Sequence, residues 1–255
     1  MLDVVLVMTY RQLKRFIRAR SRVVSSLVLP IVWLVLFGMT FARMLNFPFV
    51  RQFLGGLDYL SFLVPGVVAM TIFTASFTAG ISVLWDRQFG FLKELLVSPA
   101  PRFAIMLGRV LGDSIVALLQ GLLIALLGKV IAPHISLLGI PLALVYGLLL
   151  SIGFTSLGVA LALKITSPEG FHAVTSFIML PLMFLCNTLY PLDIMPEWMR
   201  ILSYGNPMTY AIDGIRYALT GVSRISPIID LAVMTIFATL MVTISTIMFN
   251  KATVE

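Results

Sequence analysis

"LLGIPLALVYGLLLSIGFTSLGVALAL", residues 137–163, contains no Asp, Glu, Lys or Arg. A hydrocarbon core of about 30 Å needs roughly 20 mainly apolar residues in one helix, and this run exceeds that length. In lipid every backbone N–H and C=O must be paired, so such a run is a helix and not an isolated strand. Its apolar residues are continuous, without the two-residue alternation of a barrel strand. Similar runs occur at 23–42, 60–84, 104–128, 172–190 and 229–249, which predicts six transmembrane helices. They use most of the 255 residues, so the chain reads as one all-α polytopic membrane domain, 1–255, with no room for a separate soluble domain.

The composition agrees with this reading. Hydrophobic residues make up 60% of the chain and charged residues 11%, with a mean hydropathy of +1.04; a soluble domain is about half apolar and a quarter charged. The N-terminus has the basic-then-apolar order of a signal peptide, but 23–42 is of span length and lacks a small-residue cleavage site, so it is expected to persist as the first helix. Pro30, Pro65, Pro141 and Pro181 fall within the spans or near their ends, where a lost backbone bond can kink a helix. Cys186 is the only cysteine and falls in the fifth expected span, which excludes a disulfide framework and a thiolate metal cluster.

Lys and Arg in the flanks are retained on the cytoplasmic side. With the N-terminus inside, that side collects Arg11, Lys14, Arg15, Arg18, Arg20, Arg22, Arg87, Lys93, Arg102, Arg109, Lys164 and Lys251. The other side keeps Arg43, Arg51, Lys129, Arg200, Arg216 and Arg224. Twelve against six places both termini in the cytoplasm of a multi-pass protein of the cell (plasma or inner) membrane. The formal charge of +7 is then a topology signal and an attraction to anionic membrane lipid, not a sign of nucleic-acid binding.

Three segments are not simple spans. In residues 1–22, Leu6, Tyr10, Leu13 and Ile17 form one helical stripe and Arg11, Arg15, Arg18 and Arg22 another, the pattern of a helix lying in the membrane interface. That helix is an orientation anchor, a contact element, or both. The loop from Tyr190 to Pro227 is too long and apolar for a plain connector. Pro196 starts a short helix through Trp198, Ile201 and Leu202; Asn206 is an N-cap, Pro207 a first helical residue and Gly221 a C-cap of a second. Neither crosses a bilayer. Residues 193–221 are either external re-entrant helices, with Asp213 and Arg216 pairing three apart, or surface helices held by Trp198, Tyr204 and Tyr210. In "WDRQFGFLKELLVSPAPR" (85–102), one helix over 85–100 would align Trp85, Phe89, Leu92 and Leu96. Pro99 and Pro101 end it. Its apolar face is left for the membrane surface, neighbouring spans or a groove on a partner.

"FLVPGVVAM" (62–70), "FGFLKELLVSPAPRFAIMLGRVLGD" (89–113) and "YPLDIMPEWMRILSYGNPMTYAIDGIRYALTG" (190–221) together resemble the ABC-2 type permeases, membrane subunits of ATP-binding-cassette exporters. The resemblance implies two permease subunits, the second a copy of this chain or a homologue, and two separate cytoplasmic ATPase subunits. It also implies a coupling helix that carries their motion, at Arg87, Gly90, Phe91, Lys93, Glu94, Leu95, Leu96, Ser98 and Pro99 here. Residues 1–22 would be the interfacial connecting helix, and the 193–221 segment, with Pro196, Trp198, Asn206, Pro207, Asp213 and Arg216, the re-entrant helices. The chain has no G-x-x-x-x-G-K-[ST] loop, so ATP and Mg are expected on the partner, no cofactor on this chain, and no enzymatic activity of its own. The motifs look closest to the drug-resistance and lipo-oligosaccharide branches, with a drug, lipid or lipid-linked glycan as cargo.

Two other classes fit the residues less well. An ion-coupled secondary transporter needs carboxylates or broken helices near the midplane, and the first, second and fourth spans carry no charged residue; Asp113 is the best-placed carboxylate but lies near a span end. A membrane enzyme needs clustered acids with a metal, or a nucleophile with a base. His134 and His172 are far apart, and Glu169 beside His172 makes no ligand set.

Overall fold

The computed structural model describes residues 1–44 and 47–251, and among these every regular element is helical. The chain begins with α1 (Leu2–Arg18), which ends at Ala19 where the backbone leaves the helical region. Next come α2 (Arg20–Val32), a π-helical segment (Trp33–Met39) and α3 (Thr40–Met44). Pro30 lies inside α2 and has no N–H to donate, and the wider helix follows within a turn. After α4 (Pro48–Phe53), α5 (Tyr59–Ala79) and α6 (Ile81–Gln88) run as one column, followed by α7 (Phe91–Val97). The remaining helices are α8 (Arg102–Ile131), α9 (Ile140–Lys164), α10 (Pro168–Phe184), α11 (Glu197–Tyr204), α12 (Pro207–Thr220) and α13 (Pro227–Asn250).

Among the described residues four helical stretches are long and apolar enough to cross a membrane: Tyr59–Gln88, Arg102–Ile131, Leu137–Lys164 and Pro227–Asn250. They cover the second, third, fourth and sixth expected spans. The first, 23–42, falls within the consecutive helices from Arg20 to Met44, of which Ser26–Ala42 is the apolar part among the described residues. The fifth corresponds to α10, which is 17 residues long and stops at Phe184, six residues short of the expected 172–190. Pro181 lies in its last turn and accepts the closing bond from Leu185 N, after which the chain turns. Cys186 is therefore buried in a turn and not inside a span, a correction to the sequence reading.

The α5 helix forms the axis of the molecule. Residues 61–73 are buried on every side, as expected of a uniformly apolar helix with no solvent-facing stripe. It packs against α8, α9 and α12, and Phe73 meets Phe154 of α9 edge-on at 4.5 Å. By contrast, α13 turns Ile228, Ile236, Leu240 and Ile247 outward, and α10 turns out Phe177, Leu180 and Phe184. Exposed apolar rows of this kind on span-like helices match lipid as their solvent. One end of the column carries α7 and the other carries α11 and α12.

Candidate functional site

At the α7 end, the expected single helix over 85–100 is instead two, because the chain turns at Gly90. This residue has φ +79°, a left-handed conformation that only glycine adopts without strain, and it is the N-cap of α7. The turn splits the expected apolar stripe. Phe89 is 79% exposed while Leu92 is 5% exposed, anchored in a core cluster with Met8, Ile105 and Phe171. Leu95 packs against the same cluster, and Phe91 is half-buried. The outward face presents Phe89, Lys93, Glu94, Val97 and Pro99. Ser98 donates its hydroxyl to Leu95 O at 2.8 Å, closing the helix before Pro99. Arg87 is half-buried at the end of α6, and the side chain of Leu96 lies outside those described.

Behind this turn sits a cluster that sequence reasoning missed. Asp86, in the last turn of α6, is buried and receives Arg109 Nη2 of α8 at 2.6 Å and Arg11 Nη2 of α1 at 3.0 Å, with Arg15 Nη1 at 3.9 Å. Arg109 is 1% exposed and also donates to Ser82 Oγ at 2.9 Å. The Arg11 guanidinium lies over the Phe91 ring at 3.9 Å, a cation–π contact that ties α7 into the same group. One carboxylate thus joins three helices, and through Arg11 a fourth. The available signal was a lone Asp closing an apolar run together with an Arg inside another.

The seating of α1 explains how its arginines reach Asp86. Its Leu6, Tyr10 and Ile17 stripe is exposed, as expected of an interfacial helix, but a third face, Val5, Met8, Thr9 and Gln12, packs on α8. A Cβ on Gly108 would stand 2.7 Å from Val5 O, and one on Gly112 2.8 Å from Gln12 Cβ, so the two helices touch only because both positions lack side chains. Thr9 donates to Gly108 O at 3.0 Å and Gln12 to Asp113 at 3.3 Å. A cavity of about 490 Å³ opens beside this contact, between α1, α2, α5 and α8.

At the other end the expected caps are in place. Pro196 precedes α11; Asn206 Oδ1 accepts from Met208 N at 2.9 Å, Pro207 is the first residue of α12, and Gly221 ends it with φ +75°. Trp198 is exposed. Asn206 also donates to Leu182 O at 2.8 Å, fixing α12 to the end of α10. Asp213 and Arg216 pair at 3.7 Å, but both are buried. The Asp213 carboxylate accepts from Arg224 N and Ile225 N, while Arg216 donates to Asn187 O at 2.6 Å and covers the Phe62 ring at 3.9 Å. They brace α12 against α5. At the start of α5, Asp58 caps Ser61 N at 3.2 Å and meets His134 Nδ1 at 2.8 Å. Burial alone would raise the Asp58 carboxyl, yet the bonds from Ser61 and His134 outweigh it and hold it below its ordinary value. Among the described residues no group of three or more His, Cys, Asp or Glu is placed to hold a metal.

An ABC-2 type transporter family model matches residues 3–220. The chain belongs to the ABC-2 type transporter family. Among relatives of this ABC-2 chain, a transport permease, ycf38, of Cyanophora paradoxa is 35% identical over 210 residues, 79% of this chain and 70% of that one. The inner membrane transport permease YadH of Escherichia coli K12 is 26% identical over 231 residues, 89% of this chain and 87% of its own. YbhR of the same strain, named as a multidrug ABC transporter permease, is 32% identical over 161 residues, 62% of this chain and 43% of its own. The ABC-2 chain is accordingly a member of a transporter family whose described helices include membrane-length apolar ones.

Proposed function

We propose that this ABC-2 permease is the membrane half of an exporter driven by a separate ATPase, and that α7 is the element the ATPase holds. The observation that carries the reading is the two-sidedness of α7. The turn before it and its outer face offer apolar Phe89 and Val97 beside charged Lys93 and Glu94, whereas its inner face is anchored by Leu92 in the core and tied by Phe91, through Arg11, to Asp86. An ATPase moves a membrane subunit only through an element that is exposed to it and rigidly tied behind. In this reading α7 and both termini are cytoplasmic, which the twelve-to-six basic asymmetry supports.

Ser26–Ala42 and α10 serve as the first and fifth of six spans, extended to bilayer length by the flanking helical residues or by local thinning. The α11 and α12 helices form a re-entrant cap on the external side, the membrane is the cell or inner membrane, and a second copy or a homologous permease completes the transporter. The cargo is an amphipathic or hydrophobic molecule.

The test is affinity purification from native membranes with mild detergent. A nucleotide-binding subunit should co-purify and hydrolyse ATP, and Glu94→Arg or deletion of 87–98 should abolish both association and coupled hydrolysis while the permease remains in the membrane. If association and hydrolysis survive both changes, α7 is not the coupling element. If no ATPase accompanies the wild-type chain, the exporter reading fails.

A further inference from the structure

The cavity beside α1 has a direction. It follows one face of the α5–α6 column from Val67, near the middle, to Trp85 at the α7 end, about 27 Å at 1.5 Å per residue. Its volume of about 490 Å³ falls within the roughly 300–1,000 Å³ of sites for single small molecules.

The two ends of the slot differ chemically. The deep end is bounded by Leu29, Trp33, Val67, Met70 and Met183. Thr71 and Thr78 also line the slot, but each donates its hydroxyl back to its own helix, to Val67 O at 2.7 Å and to Thr74 O at 2.6 Å. No donor from them is aimed at a guest. The α7 end is bounded by Gln12, Arg15, Ser82, Trp85 and Asp113. Among the described residues the guanidiniums of Arg11, Arg15 and Arg109 stand around that end against the carboxylates of Asp86 and Asp113, a surplus of one positive charge. A cationic head would meet net repulsion there, and an anionic one net attraction.

We infer that this slot binds one small amphiphile with an anionic head, its head at Arg15 and Gln12 and its apolar body between Trp33, Met70 and Met183. The inference rests on the exporter reading only for the direction in which the guest travels. Under that reading the site opens at the cytoplasmic leaflet, and the head lies against Arg15, which shares Asp86 with Arg11. A bound guest therefore touches the same charge cluster that holds α7.

Tryptophan quenching tests the site without ATPase or nucleotide. The chain has three tryptophans, of which Trp33 and Trp85 line the slot and Trp198 is on α11. In a Trp198→Phe background, the permease in phosphatidylcholine nanodiscs is titrated with 9,10-dibromostearate, its neutral glycerol monoester and the matching dibromostearylamine. The expected result is saturable quenching, reversed by excess oleate, with half-saturation for the carboxylate at least fivefold lower than for the other two. Arg15→Gln should erase that preference. Ala75→Phe, which fills the slot, should remove saturable quenching by all three, and Thr74→Phe provides a second plug should the first impair folding.

Non-saturable quenching that is equal for the three heads and indifferent to both plugs would mean partition into bulk lipid, and would overturn the site. A preference for the amine would overturn the anionic assignment. Because binding is read on the permease alone, loss of this site and failure of ATPase co-purification remain separate results.

Discussion

Asp86 is the single most consequential side chain at the α7 end. It balances Arg109, whose guanidinium has no access to water, and removing one partner of a buried ion pair leaves an uncompensated charge costing about 3–5 kcal/mol. Asp86→Asn should therefore lower the thermal unfolding midpoint of the detergent-solubilised protein sharply. Asp86→Asn combined with Arg109→Met should recover most of that loss, since no buried charge is then stranded. A midpoint unchanged in the single variant would show that the cluster carries no stability. Asp58 gives a pH-dependent counterpart. Its folded carboxyl ionises more readily than the unfolded one, so its contribution, about 1 kcal/mol for a cap, is complete above the unfolded value near 4 and fades as pH falls through the lowered folded value. The midpoint gap between wild type and Asp58→Asn should shrink as pH falls below about 4. A gap undiminished there would contradict the geometry.

Among the elements, the seating of α1 on α8 is held open by Gly108 and Gly112. Gly108→Leu should push α1 away from α8, and the chain's lone cysteine, Cys186, is buried, so an introduced thiol reports cleanly. Met8→Cys should resist maleimide in the wild-type background and react several-fold faster with Gly108→Leu, whereas equal rates would mean that α1 is not seated there. Local chemistry of this scale is partly readable in sequence. Asn206, Pro207 and Gly221 mark α12 correctly because a cap is decided by neighbours within one turn. The break at Gly90 is harder to read, since a helical period runs through a glycine as easily as it stops there, and only tertiary burial of Leu92 decides it. The third face of α1 escapes notice because Val5, Met8, Thr9 and Gln12 make no uniform stripe; their common feature is the pair of glycines opposite. Asp86 and Arg109 pair across 23 residues, a contact no local pattern contains.

The whole molecule is the scale at which the sequence is most legible. Lipid removes the ambiguity between strand and helix, and the expected second, third, fourth and sixth spans match helices within a few residues. The fifth falls short where Pro181 lies in the last turn of α10, a disturbance that hydropathy does not register. Orientation is tested by placing Val97→Cys on α7 and Trp198→Cys on α11 in separate chains. Impermeant maleimide should label Trp198→Cys in right-side-out vesicles and Val97→Cys in inverted ones; labelling of both from one side would refute the proposed topology.

The outward face of α7 has one further consequence, for biogenesis. With Phe89 and Val97 about four-fifths exposed, under the proposed coupling role a permease made without the ATPase displays an adhesive surface on the side where chaperones and membrane proteases sample new chains. Its cellular half-life should then depend on stoichiometric synthesis of the ATPase: short when the permease is expressed alone, restored on co-expression, and insensitive to the partner once Phe89→Ser and Val97→Ser remove the display. In pulse-chase labelling, equal half-lives with and without the partner would argue against α7 as the surface by which an orphan subunit is recognised.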